Sequence, residues 1–188
     1  DGLQDQTRLF NRALSPGEIN SLYNETATSA ASATIDNPST VAYYKMADAT
    51  DETGNYDATT VSNVDFNVQG KYGFAGNFNG SSSQIITGYA AQAGTTAATI
   101  SLWINFNSYA NSYAVIAGDN NSGSTHQGFL MLATGAPTNA YNSKKATAVI
   151  SSAVDADEIK VKIISTESGS DYDLVDNDYY LIIGNAHG

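Results

Sequence analysis

Between Thr99 and Phe106 the chain alternates with a period of two: Ile100, Leu102, Ile104 and Phe106 fall on one side of an extended segment, Ser101, Trp103 and Asn105 on the other. Wound into a helix at 3.6 residues per turn, those apolar residues would spread over most of its circumference, so the run demands a strand with one face in a core. Ile159, Val161 and Ile163 alternate with Glu158, Lys160 and Lys162 in the same way, which predicts a second strand with a solvated side. Residues 3–10, Val41 to Met46, Ile85-Ile86, Tyr113 to Ala117, Phe129 to Leu132, Ala146 to Ile150 and Tyr179 to Ile183 complete a series of short strands broken by Gly and Asn. Such spacing predicts an all-β, two-sheet antiparallel sandwich.

One short helix interrupts it. Ser15-Pro16-Gly17-Glu18 reads as a capping box, in which Ser15 accepts from the amide three residues on, Glu18 reaches back, and Pro16 stands where a missing N–H costs nothing. The helix is expected to run to about Tyr23. From 24 to 40 the chain is small and polar, too poor in apolar surface to hold structure by burial, and reads as a linker or surface crossing. The expected organisation is therefore a strand and helix at 1–23, a linker at 24–40 and a main body at 41–188.

The 188 residues, 41% of them hydrophobic, suffice for one core. A formal net charge of −11 repels phosphate backbones and anionic membranes, so nucleic acid is not an expected partner. No apolar run approaches the roughly 20 residues of a membrane span, and no membrane insertion is expected. With zero cysteines, disulfides and thiolate metal sites are excluded. No basic-then-apolar leader precedes Asp1, which is expected to be a processed or excised terminus.

Three groups of residues invite chemistry. Asp48, Asp51, Glu52, Asn55 and Asp57 crowd a turn-rich stretch with the hard oxygens that calcium takes, although an exposed polar loop looks the same in sequence. Asp119-Asn120-Asn121 is a second calcium candidate of this type, in residues that a β-turn would need anyway. Trp103 points away from Ile100, Leu102 and Ile104, and so faces either a second packed layer or solvent, where a flat ring stacks on a sugar. Tyr113, with Tyr43-Tyr44, Tyr109, Tyr141 and Tyr179-Tyr180, would serve a similar amphipathic surface or cross-strand packing. His126 and His187 are far apart and lack metal-ligand spacing, and Asp155-Ala156-Asp157-Glu158 reads as a turn.

Residues 2–19, Gly-Leu-Gln-Asp-Gln-Thr-Arg-Leu-Phe-Asn-Arg-Ala-Leu-Ser-Pro-Gly-Glu-Ile, closely resemble the closing strand and helix of laminin G-like, concanavalin A-like lectin/glucanase domains. The pattern of that family there is Gly-x-Ile-Asp-Glu-Val-Arg-Ile-(Tyr/Phe)-Asn-Arg-Ala-Leu-Ser-x-x-Glu-Ile. Val41 to Met46, Asp51 to Asn55, Gly70-Lys71-Tyr72-Gly73, Phe78 to Ser83 and Ile100 to Ile104 are similar to the opening of the same family, in order. Together they cover about two thirds of the chain. Residues 141–178 depart from the pattern, lacking its Trp-His pair and its Tyr-x-Asn/Asp-Gly hairpin. The resemblance implies a jelly roll, a calcium role for Asp5, which matches the aspartate of the closing strand, and a carboxylate on the sheet for Arg8. The Glu-x-Asp-x-x-Glu signature of the family's retaining glucanases is absent.

The family's ending stands first here and its beginning second. Residues 181–188 resemble the strand that normally leads into the closing segment, so reading from Gly188 on to Asp1 restores the order. Three explanations fit: a circular permutant closed in cis, a slice from a tandem array, or a subunit that lends its first strand to a neighbour. The resemblance implies a non-enzymatic adhesion and glycan-binding module of an extracellular or virion-surface protein, such as a tail fibre. A purely structural fibre, filament or decoration subunit, whose partners are copies of itself or neighbouring repeats or virion proteins, is the second reading.

Overall fold

The computed structural model describes residues 1–26, 39–89, 98–106, 113–118, 129–134, 145–150, 160–164 and 179–186. Among the described residues twelve strands and one helix follow one another as β1 (Gly2–Phe10), α1 (Pro16–Tyr23), β2 (Thr40–Tyr44), β3 (Ala58–Ser62), β4 (Val64–Gln69), β5 (Phe74–Phe78), β6 (Gln84–Thr87), β7 (Ala98–Phe106), β8 (Tyr113–Gly118), β9 (Phe129–Thr134), β10 (Lys145–Ile150), β11 (Lys160–Ile164) and β12 (Tyr179–Ala186). The protein is all-β, with every strand pair antiparallel. A seven-stranded sheet runs β11-β12-β7-β1-β5-β4, with β2 also on β1; β10-β9-β8 and β3-β6 form two smaller sheets.

The strands expected from alternation are present, some with shifted ends. β2 stops at Tyr44, because Met46 takes a left-handed φ of 61° that ends the ladder. The capping box forms as read: the Ser15 side chain accepts from the Glu18 amide and the Glu18 carboxylate accepts from the Ser15 N–H at 2.8 Å. Of the stretch 24–40 expected to be a linker or surface crossing, Asn24 caps α1 and Thr40 belongs to β2. Its centre, 27–38, lies outside the described residues, as do the 155–158 cluster, His126, His187, Tyr109 and Tyr141.

β1 lies in the interior of the large sheet, not at its rim. One edge pairs along its length with β7; the other is shared, β5 taking Gly2 to Gln4 and β2 taking Thr7 to Phe10. Where the neighbour changes, β1 carries a bulge. Asp5 faces Trp103 and Arg8 faces Ser101, so three steps on β1 match two on β7, and Gln6 absorbs the extra residue at φ 52°.

β7 is buried on both faces. Ile100, Leu102 and Ile104 are buried on one side as expected, and Thr99, Ser101, Trp103 and Asn105 are buried on the other. There Phe10, Leu14, Ile19, Trp103 and Ile183 cluster, with Leu22, Tyr23 and Tyr72 packed on them. Helix α1 is therefore a lid on the second face of the sheet, pinned by the Thr99 hydroxyl, which accepts from the Leu14 amide at 3.1 Å and donates to the Arg12 carbonyl at 2.8 Å.

β12 and β1 flank β7 as parallel neighbours, with Ala186 opposite Ala98 and Gly2 opposite Phe106. A direct Gly188–Asp1 joint would have to run the length of β7, about 27 Å, whereas the steps from Ala186 to Gly2 reach about 14 Å. The circular order that the resemblance implies would therefore need a longer connection to close in cis.

Candidate functional site

A largely buried polar cluster surrounds the bulge in β1. Because the bulge inserts one residue, Asp5 and Arg8, which strict alternation would put on opposite faces, both lie on the face covered by α1. Neither β2 nor β5 pairs with Asp5 and Gln6, and the side chains of both accept hydrogen bonds from the body of the fold.

Arg8 is the hub. Its guanidinium donates to both oxygens of Glu25, at 2.8 and 2.9 Å, and to Gln6 Oε1 and the Tyr43 hydroxyl, each at 3.2 Å. It lies 4.5 Å from the centre of the Tyr43 ring, and the Tyr43 hydroxyl in turn donates to Gln6. The Arg8 and Glu25 side chains are 6% and 13% exposed, so this pair is largely desolvated. The carboxylate comes from the chain just after α1, not from a sheet strand as the resemblance implies. Burial raises the Tyr43 phenol above its ordinary pKa, against the pull of Arg8.

Asp5 is fully buried. Its Oδ2 accepts from the Tyr72 amide at 2.8 Å, and its Oδ1 has no hydrogen-bond partner. Burial pushes its carboxyl up to about 6, opposed chiefly by that amide. The donor comes from the turn joining β4 to β5, closed by the Gly70 amide on the Gly73 carbonyl at 2.7 Å. Gly70 is required there, since a Cβ would lie 2.7 Å from Asp5 Oδ2; Gly73 supplies φ 95°.

Trp103 is 3% exposed and presents no face to a sugar. Tyr23 stacks on it at 5.9 Å, Tyr72 meets it edge-on at 5.9 Å, and the Lys71 ammonium sits 4.8 Å from its centre. Of the two environments open to it in the sequence, it occupies the packed layer, because α1 folds over this face. Tyr113 opens β8 opposite Thr134, a backbone placement only. Asp119 lies outside the described residues.

The acidic turn is held by hydrogen bonds within its own loop. Asp51 is buried, and its two oxygens accept from the amides of Tyr43 at 2.7 Å, Thr53 at 3.0 Å, Asn55 at 3.2 Å and Tyr56 at 3.0 Å, and from the Thr53 hydroxyl at 2.5 Å. Burial pushes its pKa up, but the Thr53 hydroxyl and the amides outweigh it and hold the carboxyl below its usual value. A cation there would face the positive ends of the N–H dipoles, so Asp51 works as the organiser of its own loop. Asp48 is exposed and accepts from the Thr50 amide at 2.8 Å; Asn55 is exposed and donates to the Thr53 hydroxyl. Asp5 and Asp51 hold different loops. Among the described residues no three acidic or histidine side chains converge as a metal site.

Gln6, Glu25 and Tyr72 are the members of the β1 cluster that sequence reasoning gave no role at a site. Tyr43 stood out only as one tyrosine of a group, and Glu25 lay inside a stretch read as linker. What joins them is contact between segments far apart in sequence. No family model, curated protein or solved structure matches the chain.

Proposed function

We propose that the chain is a non-enzymatic, laminin G-like jelly-roll sandwich that serves as an adhesion or display module on an extracellular or virion surface. The observation that carries the reading is the position of β1. The segment resembling the family's closing strand and helix lies between β7 and the β2/β5 edge, the strands that resemble the family's opening. The ionisable groups at the bulge and in the acidic turn act on other parts of the fold: Arg8 and Glu25 on each other, Asp5 on the 70–73 turn, Asp51 on the 51–56 loop. The chemistry of the cluster is that of a closure. The glycan ligand implied by the family would then engage some surface other than Trp103.

Deleting residues 1–23 tests the closure. The truncated chain is expected to lose cooperative unfolding, and Trp103, the single tryptophan, to shift its emission to the red as Tyr23 and α1 leave it. An unchanged melt and spectrum would place the work of this segment elsewhere. A glycan array probed with the intact chain tests the adhesive role, and silence on it overturns that part.

A further inference from the structure

We infer that the Asn79-Gly80 step, just past the end of β5, is a self-modifying site: the Gly80 nitrogen closes on the Asn79 side chain, and water reopens the ring to aspartate or isoaspartate. No other Asn-Gly step occurs in the 188 residues. Both residues are exposed, and Gly80 holds a left-handed φ of 72° with no Cβ to shield its nitrogen.

The backbone amides of Ser81, Ser82 and Ser83 converge on Asn79 Oδ1 at 2.9, 2.9 and 3.1 Å, and the Ser81 hydroxyl donates to the same oxygen at 3.2 Å. The turn is fixed from both sides. The Asn79 amide donates to the Ser83 hydroxyl at 2.9 Å, and that hydroxyl donates to the Asn63 carbonyl. A nest of successive N–H groups suits a negative charge better than the neutral amide oxygen it holds here. Such a charge appears on Oδ1 when a nitrogen adds to Cγ and the C=O electrons move onto the oxygen. The donors that shape the turn therefore also stabilise the tetrahedral intermediate, and they need no rearrangement to do so.

In the ring closure the Gly80 nitrogen gives its proton to solvent and bonds to Cγ, the Cγ–Nδ2 bond breaks, and Nδ2 takes up a proton and leaves as ammonia. Ser82 stands at that leaving group. Its hydroxyl accepts from Asn79 Nδ2 at 3.0 Å and from Asn63 Nδ2 at 3.2 Å, and it keeps its own proton to give to the departing nitrogen. Water then adds to either carbonyl of the succinimide, so that the amide and water have become a carboxylic acid and ammonia. Opening at one carbonyl leaves aspartate, whose carboxylate fills the nest with the charge it favours. Opening at the other leaves isoaspartate, with a methylene added to the main chain. Gly80 lies against Asp1, since a Cβ on it would stand 2.6 Å from the Asp1 nitrogen, so the added length falls beside the start of β1.

Peptide mapping with isoaspartyl methyltransferase labelling follows the reaction in the intact chain at neutral pH, with the same chain unfolded in urea as the reference. The folded chain is expected to lose Asn79 at least as fast as the unfolded one. Ser82→Ala, with an unchanged melt, is expected to slow the folded chain severalfold and the unfolded chain not at all. Asn79 that survives in the folded chain while the unfolded chain converts would show that the hydrogen bonds protect the side chain, and overturns the site. A folded Ser82→Ala chain that converts at the native rate overturns the part given to Ser82. Asn79→Asp examines the nest by itself: it should melt above the native chain at neutral pH, and a lower melting temperature overturns the preference for charge.

Discussion

Replacing Asp5 by Asn tests the electrostatics at the centre of the closure. In the folded chain Asp5 titrates near 6, raised from 3.8 by burial. Between those values the native state holds a proton that the unfolded chain has released, so stability falls as pH rises through that window. At about 1.4 kcal/mol per unit, the shift amounts to roughly 3 kcal/mol, present below pH 3.8 and lost above about pH 6 to 7. Asparagine keeps an oxygen for the Tyr72 amide and carries no charge, so D5N escapes this loss. The melting temperature of D5N relative to the native chain should therefore rise between about pH 4 and pH 7.5. At 2–4 °C per kcal/mol for a domain of this size, the rise is about 6–12 °C. Circular dichroism melts of both proteins across that range measure it. Any constant offset from the amide, and every other titrating group, cancels in the difference. A difference that stays flat with pH, or that runs the other way, refutes the account of Asp5 as a carboxylate held charged in a dry site.

The buried ion pair and the acidic loop give two further tests. R8M leaves Glu25 desolvated without its cation and E25Q does the reverse, so each should cost about 3–5 kcal/mol in urea unfolding, and the double variant less than their sum; strictly additive losses would show the pair to be uncoupled. D51A strips the acceptor from four amides and a hydroxyl and should lose about 3–5 kcal/mol, with millimolar calcium changing neither its midpoint nor that of the native chain; a calcium-dependent rise abolished by D51A would restore the cation reading.

The strands and the helix were legible because their signals are local. The alternation of Ile100, Leu102 and Ile104 and the box formed by Ser15 and Glu18 each lie within one turn or one strand. The hairpin of β4 and β5 is not among the expected strands, although Val64, Phe66 and Val68 alternate with Asp65, Asn67 and Gln69, because the apolar side of β4 is short and only half-buried. The acidic turn is ambiguous in sequence for a different reason. Carboxylates crowded in sequence look alike whether they gather round a cation or accept from their own backbone, and only the directions of the Tyr43, Thr53 and Tyr56 amides toward Asp51 decide which.

By itself the sequence determined that the chain is built of strands, where one helix begins, and that a strand precedes that helix at the start of residues 2–19. The tertiary structure alone decided that this segment fills the middle of the sheet in its own chain, that Trp103 lies beneath it, and that Asp5 and Arg8 share a face. The physical reason is that periodicity reports which residues of a strand lie together but not what covers them. A single bulged residue at Gln6, held by Tyr43 from 37 residues away, reverses the parity on which every inference beyond it depends.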